Sequence, residues 1–161
     1  MSNRVTVIRQ KASALRCPTA ARMQLWVEAA LDAASHQAPV ALTIRLVDEE
    51  EGLSLNQHYR HKKYATNVLS FPYEKPELPE DMADLDEPNY LGDLVVCMPV
   101  VLSEAVTQHK LPAIHTAHLV VHGVLHLLGY DHETDAEAER MEQIEINAMQ
   151  QLGFENPYGA D

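Results

Sequence analysis

Between Pro112 and Gly129 the chain sets histidines into a run that is otherwise largely apolar, and no other stretch limits the fold as strongly. Leu119, Val120, Val121, Val124, Leu125, Leu127 and Leu128 wrap most of a helix's circumference, the pattern of a central helix buried on nearly every side. His122 and His126 nevertheless share one face, because residues four apart on an α-helix lie one above the other. Two imidazoles at that spacing can offer nitrogens to one cation. A third ligand cannot sit on the same helix. Gly129 can take the left-handed conformation that ends a helix, so the chain turns there and brings His132 back. The spacing H-x3-H-x5-H therefore reads as a metal site with three protein ligands. Such a site leaves a tetrahedral ion one open position, which points to chemistry on a bound water rather than a structural staple.

A chain of 161 residues with 46% hydrophobic content is long enough for one well-packed domain and short for two, so a single domain over 1–161 is expected. The formal charge of −12 argues against general attraction to nucleic acid or anionic membrane. It is unevenly spread. Arg4, Arg9, Lys11, Arg16 and Arg22 precede the first acidic residue, Glu28, whereas 74–93 and 131–145 are strongly acidic. Cys17 and Cys97 form no C-x-x-C pair and read as reduced cytosolic thiols outside the metal site. There is no signal-peptide pattern and no apolar run of about 20 residues, so a cytoplasmic protein without membrane contact is expected.

Taken in order, Val5–Ile8 forms a first strand. A helix then opens at Pro18-Thr19 and runs to Ala33 or Ala34, with Trp26 as a core anchor. Val40–Val47 is a cleaner strand, in which Val40, Leu42, Ile44 and Leu46 point one way. The next helix starts at Asp48, with Glu51 three residues on as its capping-box partner, and runs towards Arg60. Residues 58–63 are the densest basic cluster, and alone they read as a solvated helix end suited to the helix dipole. An extended run, Thr66–Pro72, precedes a proline-punctuated acidic loop from Glu74 to Asn89. Leu91–Cys97 returns to strand, and Gly92 marks either a bulge or a close approach by another group. Helices follow over 99–109, from Pro112 through the histidines, and from Thr134, capped with Glu137, to about Leu152. The expected class is α+β, an α/β sandwich with a small mixed sheet of about four strands and about five helices, the central helix carrying a zincin-like site. The first two strands should be parallel, joined by a helical crossover.

The other histidines lack this arrangement. His36, His58, His61 and His109 read as surface residues. His118 lies four before His122, so His118–His122 is an alternative couple, but only His122–His126 has a glycine turn and a third histidine to complete it. The spacing also matches the metzincin pattern H-E-x-x-H-x-x-G-x-x-H at each specified position but the second, where Gly123 replaces the glutamate that acts as general base. Losing a positioned base typically costs ~100-fold to ~10,000-fold in rate, so peptide hydrolysis by that route is disfavoured.

The residues His122–His132, taken with Arg60, the run Thr66-Asn67-Val68-Leu69-Ser70-Phe71-Pro72 and Gly92-Asp93, resemble the YbeY family of bacterial endoribonucleases. The likeness extends roughly from Val40 to Leu152. It implies one Zn2+ held by His122, His126 and His132, with Arg60 and His122 as catalytic residues. It also implies a single-strand-specific endoribonuclease that matures the 3′ end of small-subunit ribosomal RNA and serves ribosome quality control. RNA, the ribosome and ribosomal proteins are then partners, and DNA is not expected. Asn67 departs from the family pattern, which commonly has Asp there. The chemistry is compatible: an open zinc site lowers the pKa of bound water to ~7 and polarises a phosphoryl oxygen, while a guanidinium at Arg60 can hold phosphate oxygens bidentately. Either that water or a ribose 2′-hydroxyl would attack. Asp131 either orients a histidine from behind or simply shapes the turn. Weak, steeply salt-dependent RNA affinity follows from the net charge. Two other readings stay open: a peptidase or phosphoesterase using Asp93 or Asp131 as base, and a non-catalytic ribosome-assembly factor with a structural zinc.

Overall fold

Four stretches rich in aliphatic residues become strands β1 (Val5–Lys11), β2 (Val40–Val47), β3 (Val68–Pro72) and β4 (Tyr90–Cys97), paired in the order β1-β2-β4-β3. β1 is parallel to β2, with Val5 opposite Val40 and Lys11 opposite Leu46, as a crossover helix between them requires. β2 is parallel to β4, and β3 runs antiparallel to β4 as an edge strand. The computed structural model describes residues 4–60, 66–74, 79–81 and 89–158. Among these, the helices are α1 (Ala20–Ala33), α2 (Glu49–Arg60), α3 (Met98–Thr107), α4 (Pro112–Leu127) and α5 (Asp135–Gln151). The mixed four-stranded sheet with five helices is the α+β class expected. No described helix is long and apolar enough to cross a membrane.

Period-2 alternation decides which sheet face each helix meets. Leu42, Ile44, Leu46, Leu94 and Val96 pack against Met23, Trp26, Val27 and Ala30 of α1 and Ala117, Val120, Val121 and Val124 of α4. Met141, Ile144, Ala148 and Met149 of α5 join the same core, so α4 is enclosed by the sheet and its neighbouring helices. The opposite face carries a smaller cluster, Val47, Leu69, Val95 and Cys97, with Leu55 of α2 against it. β3 therefore divides its side chains: Leu69 joins this smaller cluster, whereas Val68, Ser70 and Pro72 border the cleft beside α4.

Some local expectations change. Asp48 and Glu51 precede and open α2, but their carboxylates bond elsewhere. Asp48 accepts from the Ser13 hydroxyl and the Ala14 N–H, tying the end of β1 to the end of β2, and Glu51 holds Arg45 at 2.5 and 2.9 Å. For Glu51 the guanidinium of Arg45 on β2 outcompetes a neutral backbone N–H, and for Asp48 a hydroxyl and an N–H just past β1 take the carboxylate instead. At the start of α5, Thr134 Oγ1 does accept the Glu137 N–H, at 3.1 Å. Of the acidic loop, only Glu74, residues 79–81 and Asn89 fall within the described residues, so the loop expectation for 74–89 lies largely outside them.

Two glycines allow close approaches, one between helix and sheet and one between neighbouring strands. Gly123 faces the sheet, and a Cβ there would lie 2.8 Å from Leu94 Cδ2 and 3.4 Å from Ser70 Oγ. Gly92, at φ +137°, sits where a Cβ would stand 2.2 Å from the Phe71 carbonyl oxygen. The β2–β4 register also shifts here, since Ala41 faces Tyr90 while Leu42 faces Gly92. Both readings of Gly92, bulge and close approach, are thus realised. Gly129, at φ +102°, has nothing within 4 Å of its missing Cβ. Gly92→Ala should therefore cost at least about 2 kcal/mol, from backbone strain plus overlap, whereas Gly129→Ala should cost about 1 kcal/mol from the left-handed backbone alone. Urea unfolding midpoints with unchanged slopes would show it; equal shifts would contradict the close approach at Gly92.

Candidate metal centre

The apolar stripe of α4 ends at Leu127, and the turn that follows builds the site. The Gly129 N–H bonds the His126 carbonyl at 3.0 Å and the Tyr130 N–H bonds the Leu125 carbonyl at 3.0 Å. With Gly129 left-handed, these are the paired bonds of a Schellman ending. The chain reverses, and His132 returns beside the last turns of the helix. Ring centroids are 4.5 Å apart for His122 and His126, 5.3 Å for His126 and His132, and 5.9 Å for His122 and His132.

Those spacings can be tested against a shared ion. Nitrogens bound to one tetrahedral zinc at ~2.0 Å lie about 3.3 Å apart, with ring centres about 5 Å apart. His122 Nε2 and His126 Nε2 are 3.0 Å apart. The three ring separations bracket the expected one, so imidazoles, the donors a metal site needs, converge here, with the nitrogens of His122 and His126 near ligand spacing. His126, Asp131 and His132 offer ligand atoms all within 4.8 Å of one another, a set that includes Asp131 and leaves out His122. Asp131 has a turn role as well, because its Oδ1 accepts the His132 N–H at 2.8 Å and lies 3.7 Å from His132 Nδ1. Imidazole with carboxylate suits zinc, and nickel or copper would accept the same donors.

The far sides of two rings are fixed. His126 Nδ1 meets the Tyr130 carbonyl at 3.0 Å, which leaves the Nε2 lone pair to the cleft. Burial, and then the neighbouring His122, push the His126 pKa down, keeping the ring in the neutral form a metal needs. His122 Nδ1 meets Glu145 Oε1 at 3.1 Å. Metal-binding histidines commonly donate their second N–H to such carbonyl and carboxylate partners.

Glu145 belongs to the stretch 131–145, which composition marks only as acidic. The carboxylate is 1% exposed. Burial alone would raise its pKa, but bonds from His118 at 2.8 Å and from His122 bring it down to about 2. The signal was present: Met141, Glu145 and Met149 recur at every fourth residue, so one carboxylate stands in the buried stripe of α5. His118 commits Nε2 to this carboxylate, so the alternative couple His118–His122 meets on Glu145. His115 is also buried and bonds Glu104 at 3.0 Å, while His58 and His109 are exposed and His36 is half-buried. His61 lies outside the described residues.

Facing the histidines across a cleft of about 740 Å3 are Asn56, Thr66, Asn67 and Ser70. Asn67 Nδ2 donates to both oxygens of Glu104, at 3.1 and 3.3 Å, and its Oδ1 accepts the Val68 N–H at 2.6 Å. An aspartate at 67 would set carboxylate against carboxylate, so the amide suits its neighbour here. Arg60 ends α2, but its side chain lies outside the described residues. Asp93 is on the other sheet face, hydrogen-bonded to Tyr90 and away from the histidine cleft.

Comparison with known proteins agrees with this architecture. The family model described as Endoribonuclease YbeY matches residues 7–153. A curated relative from Pseudomonas syringae pv. syringae, named Endoribonuclease YbeY, is 53% identical over 152 residues, covering 94% of this chain and 87% of the relative. Another of that name, from Xanthomonas euvesicatoria pv. vesicatoria, is 54% identical over 145 residues, covering 89% and 86%. The solution structure of a Thermotoga maritima protein superposes with a TM-score of 0.56 at 20% identity, covering 95% of this chain and 100% of that one, a likeness of fold. With a match running from β1 past the last turn of α5, and relatives identical at more than half of the aligned positions, the chain belongs to the YbeY family.

Proposed function

We propose that this chain is a zinc-dependent, single-strand-specific endoribonuclease, working as one domain in the cytoplasm. Its proposed task is 3′-end maturation of small-subunit ribosomal RNA and ribosome quality control. The observation that carries the reading is the convergence of three imidazoles on one end of an open cleft, with Gly123 where a zincin protease has its general base. The names of the relatives support the same reaction class.

His122, His126 and His132 would hold the ion, with Asp131 near enough to join or orient them. Zinc, when bound, supplies Lewis acidity towards a phosphoryl oxygen and acidifies water. Glu145 and the Tyr130 carbonyl keep the ring nitrogens of His122 and His126 aimed into the cleft. Gly123 leaves no side chain there to take a proton, so proton acceptance falls to groups on the cleft walls or to solvent. Ser70 and Asn67 line the opposite wall and can hold sugar hydroxyls or phosphate oxygens. Arg60 follows Tyr59 at the end of α2, where a guanidinium would offset the charge that develops as the phosphate is attacked. An acidic chain needs that local cation, since its overall field repels RNA. Ribosomal proteins, which are basic, would help to deliver the substrate.

Two outcomes test this. Zinc-loaded protein should cleave a single-stranded oligoribonucleotide while leaving a peptide library intact, and should lose the activity on chelation or with His126→Ala. RNA cleavage that survives His126→Ala at full rate would defeat the reading, and a drop in melting temperature with no activity in the parent would favour a structural zinc. Arg60→Ala should retain stoichiometric zinc and lower the cleavage rate by ~100-fold or more. An unchanged rate would remove Arg60 from the mechanism.

A further inference from the structure

The C-terminal segment after α5 brings one more side chain to this site. The chain leaves the helix at Gly153, φ +84°, with the Phe154 N–H on the Met149 carbonyl at 2.9 Å, and Lys110 Nζ reaches the Pro157 carbonyl at 3.5 Å. The strap so formed delivers Tyr158 to the edge of the histidine cleft. Its ring meets His118 edge-on with centroids 5.3 Å apart, and its hydroxyl donates to Glu145, 3.1 Å from each carboxylate oxygen. Residue 158 lies beyond the stretch that the family model matches.

The Glu145 carboxylate is loaded unevenly. Oε1 receives His118 Nε2, His122 Nδ1 and a share of the Tyr158 hydroxyl, whereas among the described residues Oε2 has that hydroxyl as its one partner. A buried carboxylate oxygen with no donor is costly, and the group rotates or admits water to regain one. Rotation would carry Oε1 away from His122, and with it the bond that fixes which ring nitrogen faces the cleft. We propose that Tyr158 is a positioning residue of the metal centre: acting through Glu145, it holds His122 with Nδ1 outward and Nε2 beside His126. The strap is then part of the site. The inference rests on the metal-binding reading above, and it concerns zinc affinity and geometry, not RNA.

The test uses the full chain and needs no substrate. Zinc dissociation constants are measured by competition with a chelator of known affinity, and the ligand field is read from the visible spectrum of the cobalt(II)-loaded protein. Tyr158→Phe keeps the ring and removes the hydroxyl. It should raise the zinc dissociation constant by about tenfold, the lower end for losing an outer partner of a metal-binding histidine, and should shift the cobalt bands. The metal-free variant should melt below the parent, because a buried carboxylate oxygen loses its donor, but a merely structural role would lower the melting point without moving the cobalt bands. Glu145→Gln, which cannot accept on both oxygens, should have a larger effect in the same direction. Parent-like zinc affinity and cobalt bands in Tyr158→Phe would overturn the proposal, whatever Glu145→Gln does, and so would a parent that binds no zinc. Failure of the parent to cleave RNA would instead count against the endoribonuclease reading and leave this one standing.

Discussion

A single buried carboxylate governs how the helices meet. Glu145 is enclosed almost completely, and an ionised group so placed costs several kcal/mol unless the surroundings answer it. Here the answer comes from His118 and His122 on α4 and from Tyr158 beyond α5. Apolar packing of Met141, Ile144 and Met149 could tolerate some sliding of α5 along its neighbours, but a carboxylate with three directed donors cannot. The same bonds that satisfy the charge also decide the orientation of His122. Stability and site geometry therefore share one set of hydrogen bonds, and a change that relaxes one disturbs the other.

Much of this was legible in the sequence because it rests on local periodicity. The strand alternation of Val40–Val47, the all-round apolar surface of α4 and the glycine exit at Gly129 each follow from nearest-neighbour geometry, and each reappears in the structure. The parallel pairing of β1 and β2 was legible too, since a helix-length connection allows little else. What the sequence hid is what depends on partners far along the chain. Asp48 reads as a helix cap and instead binds Ser13; Glu145 is one carboxylate in a stretch marked only as acidic and is core; Tyr158 lies past the recognisable pattern. Polar residues choose among competing donors in three dimensions, and spacing in one dimension does not rank those donors.

Asn67 shows the same principle at the level of chemistry. Its amide donates to Glu104, which also receives buried His115, so the three form a chain running from the cleft wall to the α3–α4 pair. A carboxylate at position 67 would need either a proton or a cation to sit there. The amide removes that need and adds no charge of its own to the wall, which for the proposed substrate, a polyanion, avoids one more repulsive charge opposite the histidines.

Gly123 bears most directly on what the cleft can do. Comparison with the zincin pattern treats its lack of a glutamate as a missing catalytic group, but packing gives it a second meaning. Leu94 and Ser70 come so near the helix at this point that even a methyl group would crowd a fully buried leucine. The close approach seats α4 deep against β3 and β4, and it is this seating that puts Ser70 across the cleft from His122 and His126. A glutamate at 123 would have to lift the helix from the sheet before it could act as a base. Ligand geometry and helix seating are thus coupled: the packing that brings β3 up to the histidines is the packing that denies the site a protease's proton acceptor.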